Sequence, residues 1–288
     1  HSFFNDEREM SAAEMLQHFH FYFLGNDKGL VFDVCNAPYS VAVTDKLVAY
    51  LQGLGAEVHT QTPVRRLSRD ADARIVHTDS GEHLSDALVL ALDVPGLQQL
   101  ATNSPGFFDA ADWPRLESLE ATRPFAVQRL WLDRPTLPDR PVFLGTTGFG
   151  ELDNVSLMHR MQTESRAWAE THGGSVIESH AYALPADADA ETIDQRLETA
   201  LRGLYPEIAG ARVVDRRFLL RRDCPGFATG SWSRRPGVET RDARVKLAGD
   251  FTRIDVPSAL MERAVTSGLI ACNRSEERRV GKECATGC

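Results

Sequence analysis

The sequence predicts an α/β fold whose chain is interrupted by a second, mixed-sheet α+β domain. Three observations carry that expectation. Residues 45 to 92 run helix, strand, hairpin and continuous apolar strand, and residues from about 107 to 235 alternate glycine-broken strands with amphipathic helices. The α/β pattern then returns at Val245, so residues 1–106 and 236–273 are expected to form one domain around an inserted 107–235.

Ser11 and Glu14 in SAAEMLQHFHFYF have the spacing of a capping box and predict a helix start. The tract beyond is apolar or aromatic on nearly every side, which predicts a helix buried in the core or facing an apolar ligand or a membrane. His18 and His20, two residues apart, point to different sides of such a helix and read as packing residues, not metal ligands. Leu47, Val48, Leu51 and Leu54 repeat at helical period, Gly55 stops the helix, and an alternating strand is expected around Val58, Thr60 and Thr62. A hairpin should turn at Asp79-Ser80-Gly81, followed by a doubly buried strand over 87–92 and a short helix in DVPGLQQLA. In the middle region PFAVQRLWLD, SVIESHAYAL and ARVVDRRFLLRRD read as strands, and SRAWAETHGG and DAETIDQRLETALRGLY as helices.

Composition excludes more than it identifies. Of 288 residues, 42% are hydrophobic and 25% charged, the balance of a globular chain. A formal net charge of −9 argues against nucleic acid, whose phosphates require a basic face. The five cysteines are never spaced C-x-x-C, which fits a reducing compartment better than a disulfide framework or a zinc knuckle. No basic segment leading into an apolar core stands near His1, so the expected location is cytoplasmic. After Asn273 the tail RSEERRVGKECATGC is charged on all sides and resembles translated adaptor sequence, so 274–288 are expected to be non-native.

The chain contains no G-x-S-x-G elbow, no H-E-x-x-H helix and no zinc-deaminase pattern, which leaves hydrolase and zinc readings without an anchor. Gly145, Gly148 and Gly150 are spaced G-x-x-G-x-G, the reverse of the dinucleotide fingerprint, and read as a loop. Asp223 beside Cys224 should raise its thiol pKa and make it a poor nucleophile. What remains is VKLAGDFTRIDVPSALMERAVTSG, residues 245–268: a strand ending at Gly249-Asp250, a loop, and a helix after Ser258. Gly249 permits close approach of a ligand, Asp250 offers acceptors for sugar or ribityl hydroxyls, and the first helical N–H groups can face an electron-rich atom. Small residues Ala264, Gly268 and Ala271 allow tight packing. The same spacing suits an ordinary strand-to-helix crossover equally well.

LAGDFTRIDVPSALMERAVTSGLIACN resembles the C-terminal flavin-binding motif of the FAD-dependent amine oxidase and phytoene desaturase superfamily, as do TPVRRL and SDALVLALDVPGLQQL. With FHFYFLGNDKGLVFDV, ELDNVSLMHR and RRDCPGF, the resemblance is closest to its carotene desaturase and isorenieratene synthase branch. It implies an FAD/NAD(P)-binding Rossmann-like domain and an FAD enzyme that oxidises a carotenoid or another apolar polyene, docked on a bilayer without spanning it. It implies that Gly249 and Asp250 meet the ribityl-pyrophosphate portion, that Leu260, Met261 and Glu262 lie beside the isoalloxazine, and that the Val64 backbone contacts the adenine side. Phe19, Phe21, Phe23 and Leu30 are the candidates for lining a substrate tunnel, and no general base is assigned. The superfamily's opening G-x-G-x-x-G strand and helix has no counterpart in this sequence, which implies an N-terminally truncated fragment with weak or no FAD binding. Two alternatives stay open: a flavin amine oxidase, disfavoured by Leu260 at an aromatic position, and a product without turnover.

Overall fold

A computed structural model describes residues 4–25, 28, 33–70 and 73–285, with side chains through Arg274. The chain divides into two compact units. One comprises His1–Asp6, Phe32–His59 and Arg123–Arg222, and the other Glu7–Val31, Thr60–Thr122 and Asp223–Cys288.

Helix α1 spans Ala12–Phe19 and continues into one π-helical turn, His20–Leu24. Ser11 is its N-cap without a side-chain capping bond, and the Glu14 side chain turns inward to Arg263. Helix α2, Asp45–Gly53, ends before Gly55, whose φ of 89° stops it. The strand expected around Val58, Thr60 and Thr62 does not form: Gln61 takes a φ of 54° and Pro63 has no amide hydrogen for a ladder. Pairing begins one residue later in β1 (Val64–Asp70), which joins β2 (Ala73–Thr78) and β3 (Gly81–Ser85) in an antiparallel meander whose second turn lies at Asp79-Ser80. Strand β4 (Leu88–Ala91) leads to α3 (Val94–Thr102), capped by the Asp93 carboxylate accepting from Gly96 N at 2.7 Å, and then to α4 (Trp113–Glu117) and β5 (Glu120–Ala121).

The middle of the chain supplies β6 (Phe125–Leu132), β7 (Phe143–Gly145), β8 (Asn154–Leu157), α5 (Met158–Met161), α6 (Thr163–His172), β9 (Ser175–Ala181), α7 (Ala190–Leu204) and β10 (Val213–Arg221). They form a five-stranded sheet of order β10-β6-β9-β8-β7. Every neighbouring pair in it is antiparallel, so the mixed sheet expected here does not form; β9 and β10, joined through α7, run in the same direction on either side of β6. The inward residues Ala126, Leu130 and Leu132 of β6 and Ile177 and Ala181 of β9 pack with Ile193, Leu197 and Leu201 of α7 into one apolar core. The Gly145–Gly150 stretch is the connection between β7 and β8.

Strands β11 (Pro225–Gly226) and β5 pair across a long separation in sequence, α8 (Ser231–Arg234) follows, and β12 (Val245–Ala248) pairs in parallel with β4. Helix α9, Leu260–Ala285, continues through the charged tail. Leu67 of β1, Leu90 of β4, Leu97 of α3, Leu247 of β12 and Phe251 share a second core, each burial contributing about 1.5–3 kcal/mol. That core fixes the end of β12, where the strand gives way to Gly249-Asp250.

Candidate functional site

Strand β12 is buried along its whole length and stops at Gly249, whose φ is 148°. A Cβ there would stand 2.6 Å from the Phe251 ring, so the turn requires glycine for its own packing. The chain folds back at once: Thr252 donates both N–H and Oγ1–H to the Gly249 carbonyl, at 3.1 and 2.7 Å. From α9, Ser267 Oγ accepts the Gly249 N–H at 2.9 Å, binding strand end to helix. The buried face of α9 is Arg263, Ser267 and Ala271, spaced four apart, whereas Ala264 and Gly268 are half-buried at its flank. Of the three small residues expected to make the contact, only Ala271 is fully buried.

Helix α9 begins at Leu260, a non-glycine residue with a φ of 50°. Leu260 is half-buried, while the Met261 and Glu262 side chains are exposed. Asp250 is half-buried and its carboxyl is pushed up to about 6, chiefly by burial, with Arg263 and Arg235 pulling it back. Its own and the Phe251 N–H serve the carboxylate, and no side chain among the described residues does. Cys224 is close enough to Asp250 to feel its charge, and burial followed by Asp223 and Asp250 pushes the thiol up to about 12, too high for a nucleophile near neutrality.

Beneath this turn lies a charged cluster. Arg263 donates to the Ser258 carbonyl through Nε at 3.0 Å and Nη2 at 2.6 Å, and to the Asp250 carbonyl through Nη1 at 3.3 Å. Its Nη1 also pairs with Glu14 Oε1, and Glu14 Oε2 lies 3.0 Å from Arg235 Nη2. Glu14, Arg235 and Arg263 are all buried, and both guanidinium groups lie against the Phe227 ring, at 4.9 and 5.4 Å from its centre. His18, also buried, donates Nδ1–H to the Glu14 carbonyl at 2.8 Å, and burial lowers its pKa, so it is neutral near pH 7. Arg235 is brought down to about 10 by burial and remains charged.

The structure thus joins Gly249, Asp250 and Leu260 through Arg263 and Ser267. Val64 opens β1 with its side chain exposed, and Leu67, three residues on, enters the core that also holds Leu247 and Phe251. Phe19 and Phe23 are 49% and 42% exposed and Phe21 is half-buried, so α1 and its π-turn bury Glu14 and His18 and present aromatic rings outward. The expected apolar burial fails there because the inward positions carry the ion cluster. Leu30 lies outside the described residues. The sequence expectation of packing holds for His18, which is buried against Phe227, and not for His20, which is exposed; the cluster of Glu14, Arg235 and Arg263 is not among the expectations, and its one signal is an acid and a histidine four apart in an otherwise apolar tract.

A half-buried carboxylate with unused lone pairs, a backbone that doubles back at a glycine, and a helix start beside it fit the hydroxyl-rich and electron-rich parts of a dinucleotide cofactor. Residues 4–274 match the family described as flavin containing amine oxidoreductase. The chain belongs to that family. Two curated relatives of this chain are named carotenoid phi-ring synthase. The protein from Streptomyces griseus is 46% identical over 279 residues, covering 96% of this chain and 54% of that protein. The one from Chlorobaculum tepidum is 30% identical over 237 residues, covering 77% and 36%. The chain thus spans about half the length of the first relative and less of the second. Among solved structures, a redesigned putrescine oxidase aligns with a TM-score of 0.59 at 11% identity, covering 82% of this chain and 53% of that one. An oxidoreductase from Methanosarcina mazei aligns at 0.54 and 16%, covering 81% and 53%. These two establish likeness of fold.

Proposed function

We propose that the chain is part of an FAD-dependent oxidoreductase that desaturates and aromatises the end rings of a carotenoid. The observation that carries this is the half-buried Asp250 carboxylate, at the end of β12 and beside the start of α9, in a chain 46% identical to a carotenoid phi-ring synthase. Asp250 accepts ribityl or sugar hydroxyls, Gly249 lets the cofactor approach the backbone, and the N–H groups of Leu260, Met261 and Glu262 face the electron-rich edge of the ring system. The Val64 backbone meets the adenine side. When bound, the flavin supplies the acceptor for hydride equivalents, and the chain's residues orient it and keep water out.

In this reading the parallel pair β4–β12 is part of a Rossmann-like sheet. Its pyrophosphate-gripping G-x-G-x-x-G is not in this sequence, so the chain alone binds FAD weakly. Phe19, Phe21, Phe23 and Leu30 supply apolar contact for the polyene. Leu16 and Leu24, 69% and 71% exposed on the same segment, provide contact with the bilayer in which a carotenoid dissolves. Among the described residues no helix is long and apolar enough to cross a membrane.

The test is a chimera in which this chain replaces the matching part of the Streptomyces griseus relative, expressed in β-carotene-producing cells. Bound yellow flavin and dehydrogenated carotenoids with aromatic rings are expected. A folded chimera that carries flavin yet leaves β-carotene untouched would remove the substrate, and one that folds without flavin would remove the site.

A further inference from the structure

Glu14 and Arg263 are 249 positions apart in a chain of 288 residues, yet their side chains meet with almost no exposure to solvent. A buried ion pair of this kind is expensive in desolvation and contributes to stability only when its remaining hydrogen-bonding capacity is used. Arg263 uses that capacity on two backbone carbonyls, Asp250 at the beginning of the loop and Ser258 at its end. One guanidinium therefore closes the loop from Asp250 to Ser258, and the planar fork that reaches both ends has no equivalent in a lysine. Glu14 holds the fork in place by pairing with Nη1, the same nitrogen that donates to Asp250.

We propose that Glu14 is a positioning residue for the cofactor turn. Through its buried pair with Arg263 it sets the separation and orientation of the Gly249-Asp250 backbone and the first residues of α9. This rests on the reading of that turn as a flavin site, but the clamp itself is a property of the chain. Two further observations agree with it. Leu260 is held at a φ of 50° where the loop enters α9, a conformation that persists when surrounding contacts over-determine it. Arg235 is 3% exposed and shares Glu14 with Arg263, while its Nε and Nη1 have no acceptor among the described residues. A second positive charge thus remains close to the turn. With Glu14 and Asp250 ionised the two arginines are balanced, and protonating Asp250 leaves a net buried cation, so the state of the turn and the cluster are coupled. The groups that face Asp250 in this balance are Arg263 on α9, Arg235 after α8 and Cys224 before β11, with Glu14 and His18 of α1 behind the two arginines.

The experiment compares wild type with Glu14→Gln, Arg263→Lys and Arg235→Gln. Hydrogen exchange is measured on this chain, and FAD affinity against pH is measured in the chimera. Glu14→Gln and Arg263→Lys are expected to speed amide exchange across residues 250–263 about tenfold or more while β6 and β9 keep wild-type protection. Both are expected to weaken FAD binding by a similar factor. Arg235→Gln should move the pH midpoint of FAD binding upward, since a cation near Asp250 is lost, whereas Glu14→Gln should not raise it. A loss of general stability would not separate the two variants in this way. Unchanged exchange over 250–263 in folded Glu14→Gln protein overturns the proposal, as does acceleration spread evenly through residues 60–122 and 223–263. If exchange responds but wild-type chimera takes up no FAD, the clamp stands and the flavin reading falls. If FAD binds equally well to all four proteins, the flavin reading stands and the positioning role falls.

Discussion

The two compact units bury different kinds of side chain. In the antiparallel-sheet unit the core is a continuous apolar set from Ala126 to Ala211, and charged groups such as Arg140 with Glu207 and Arg216 with Asp194 and Glu198 pair at its partly exposed rim. In the unit holding β12, the apolar cluster around Leu90 and Phe251 is joined by buried Glu14, His18, Arg235 and Arg263. Lys246, in the middle of β12, is also buried, 3.0 Å from Glu239. On the strands of the first unit's sheet the buried polar side chains, Gln128, Ser175 and Ser179 among them, carry no charge. The second unit also buries charged groups, and one of them, Arg263, bonds the carbonyls at both ends of the loop proposed as a cofactor turn.

The largest effect that would break this contrast is at Arg263. Arg263→Met removes one of the two guanidinium partners of Glu14 and leaves two carbonyls without their donor, and should cost about 3–5 kcal/mol in denaturant unfolding of that unit. A loss under 1 kcal/mol would mean that the cluster is not a stabilising element. Leu197→Ala, at the centre of α7, should cost about 2–5 kcal/mol by leaving a cavity, without altering exchange over residues 250–263. A parallel loss of protection at Gly249 would show that the contrast between the units is false.

Gly249→Ala combines a φ of 148° with a 2.6 Å approach to the Phe251 ring and should cost about 1–3 kcal/mol, read as a lowered thermal midpoint. Asp250 sharpens the comparison through pH. Its carboxyl is at about 6 in the folded chain, above the value of about 3.9 expected unfolded, so between those values the folded state holds the proton more tightly. Stability should therefore fall as pH rises from about 4 to 6 and level off above, the opposite sign to an ion-paired carboxylate. Asp250→Asn should remove that slope in urea titrations at stepped pH. The smallest effect is expected at the exposed Arg65–Asp79 pair, where Arg65→Ala should leave the thermal midpoint unchanged.

Legibility follows the same division. The strands β6, β9 and β10, helices α6 and α7, and the hairpin at Asp79-Ser80 were readable because alternation, helical period and turn residues act locally. The strand expected at Val58 to Thr62 was overridden by two adjacent backbone features, the φ of Gln61 and the missing amide of Pro63. The direction of the five-stranded sheet was not readable, since strand pairing depends on connections that propensity does not encode. At the site, Gly249, Asp250 and the start of α9 were readable as a motif, with the start itself found at Leu260. Their partners were not, because Glu14 and Arg235 are brought to Arg263 from distant positions.

The sequence by itself determined the composition class, most of the local elements, the return to α/β pattern at Val245 and the strand-Gly-Asp-loop-helix motif. Each of these rests on interactions between residues close in the chain. Only the tertiary structure decided that the apolar-looking helix α1 turns a glutamate inward, that Arg263 closes the loop after Asp250, and that Asp250 is held near 6. Those depend on burial and on groups that meet in space, Glu14 reaching Arg235 and Arg263 across more than 200 positions, and the energy of a charge in a protein is set by what surrounds it.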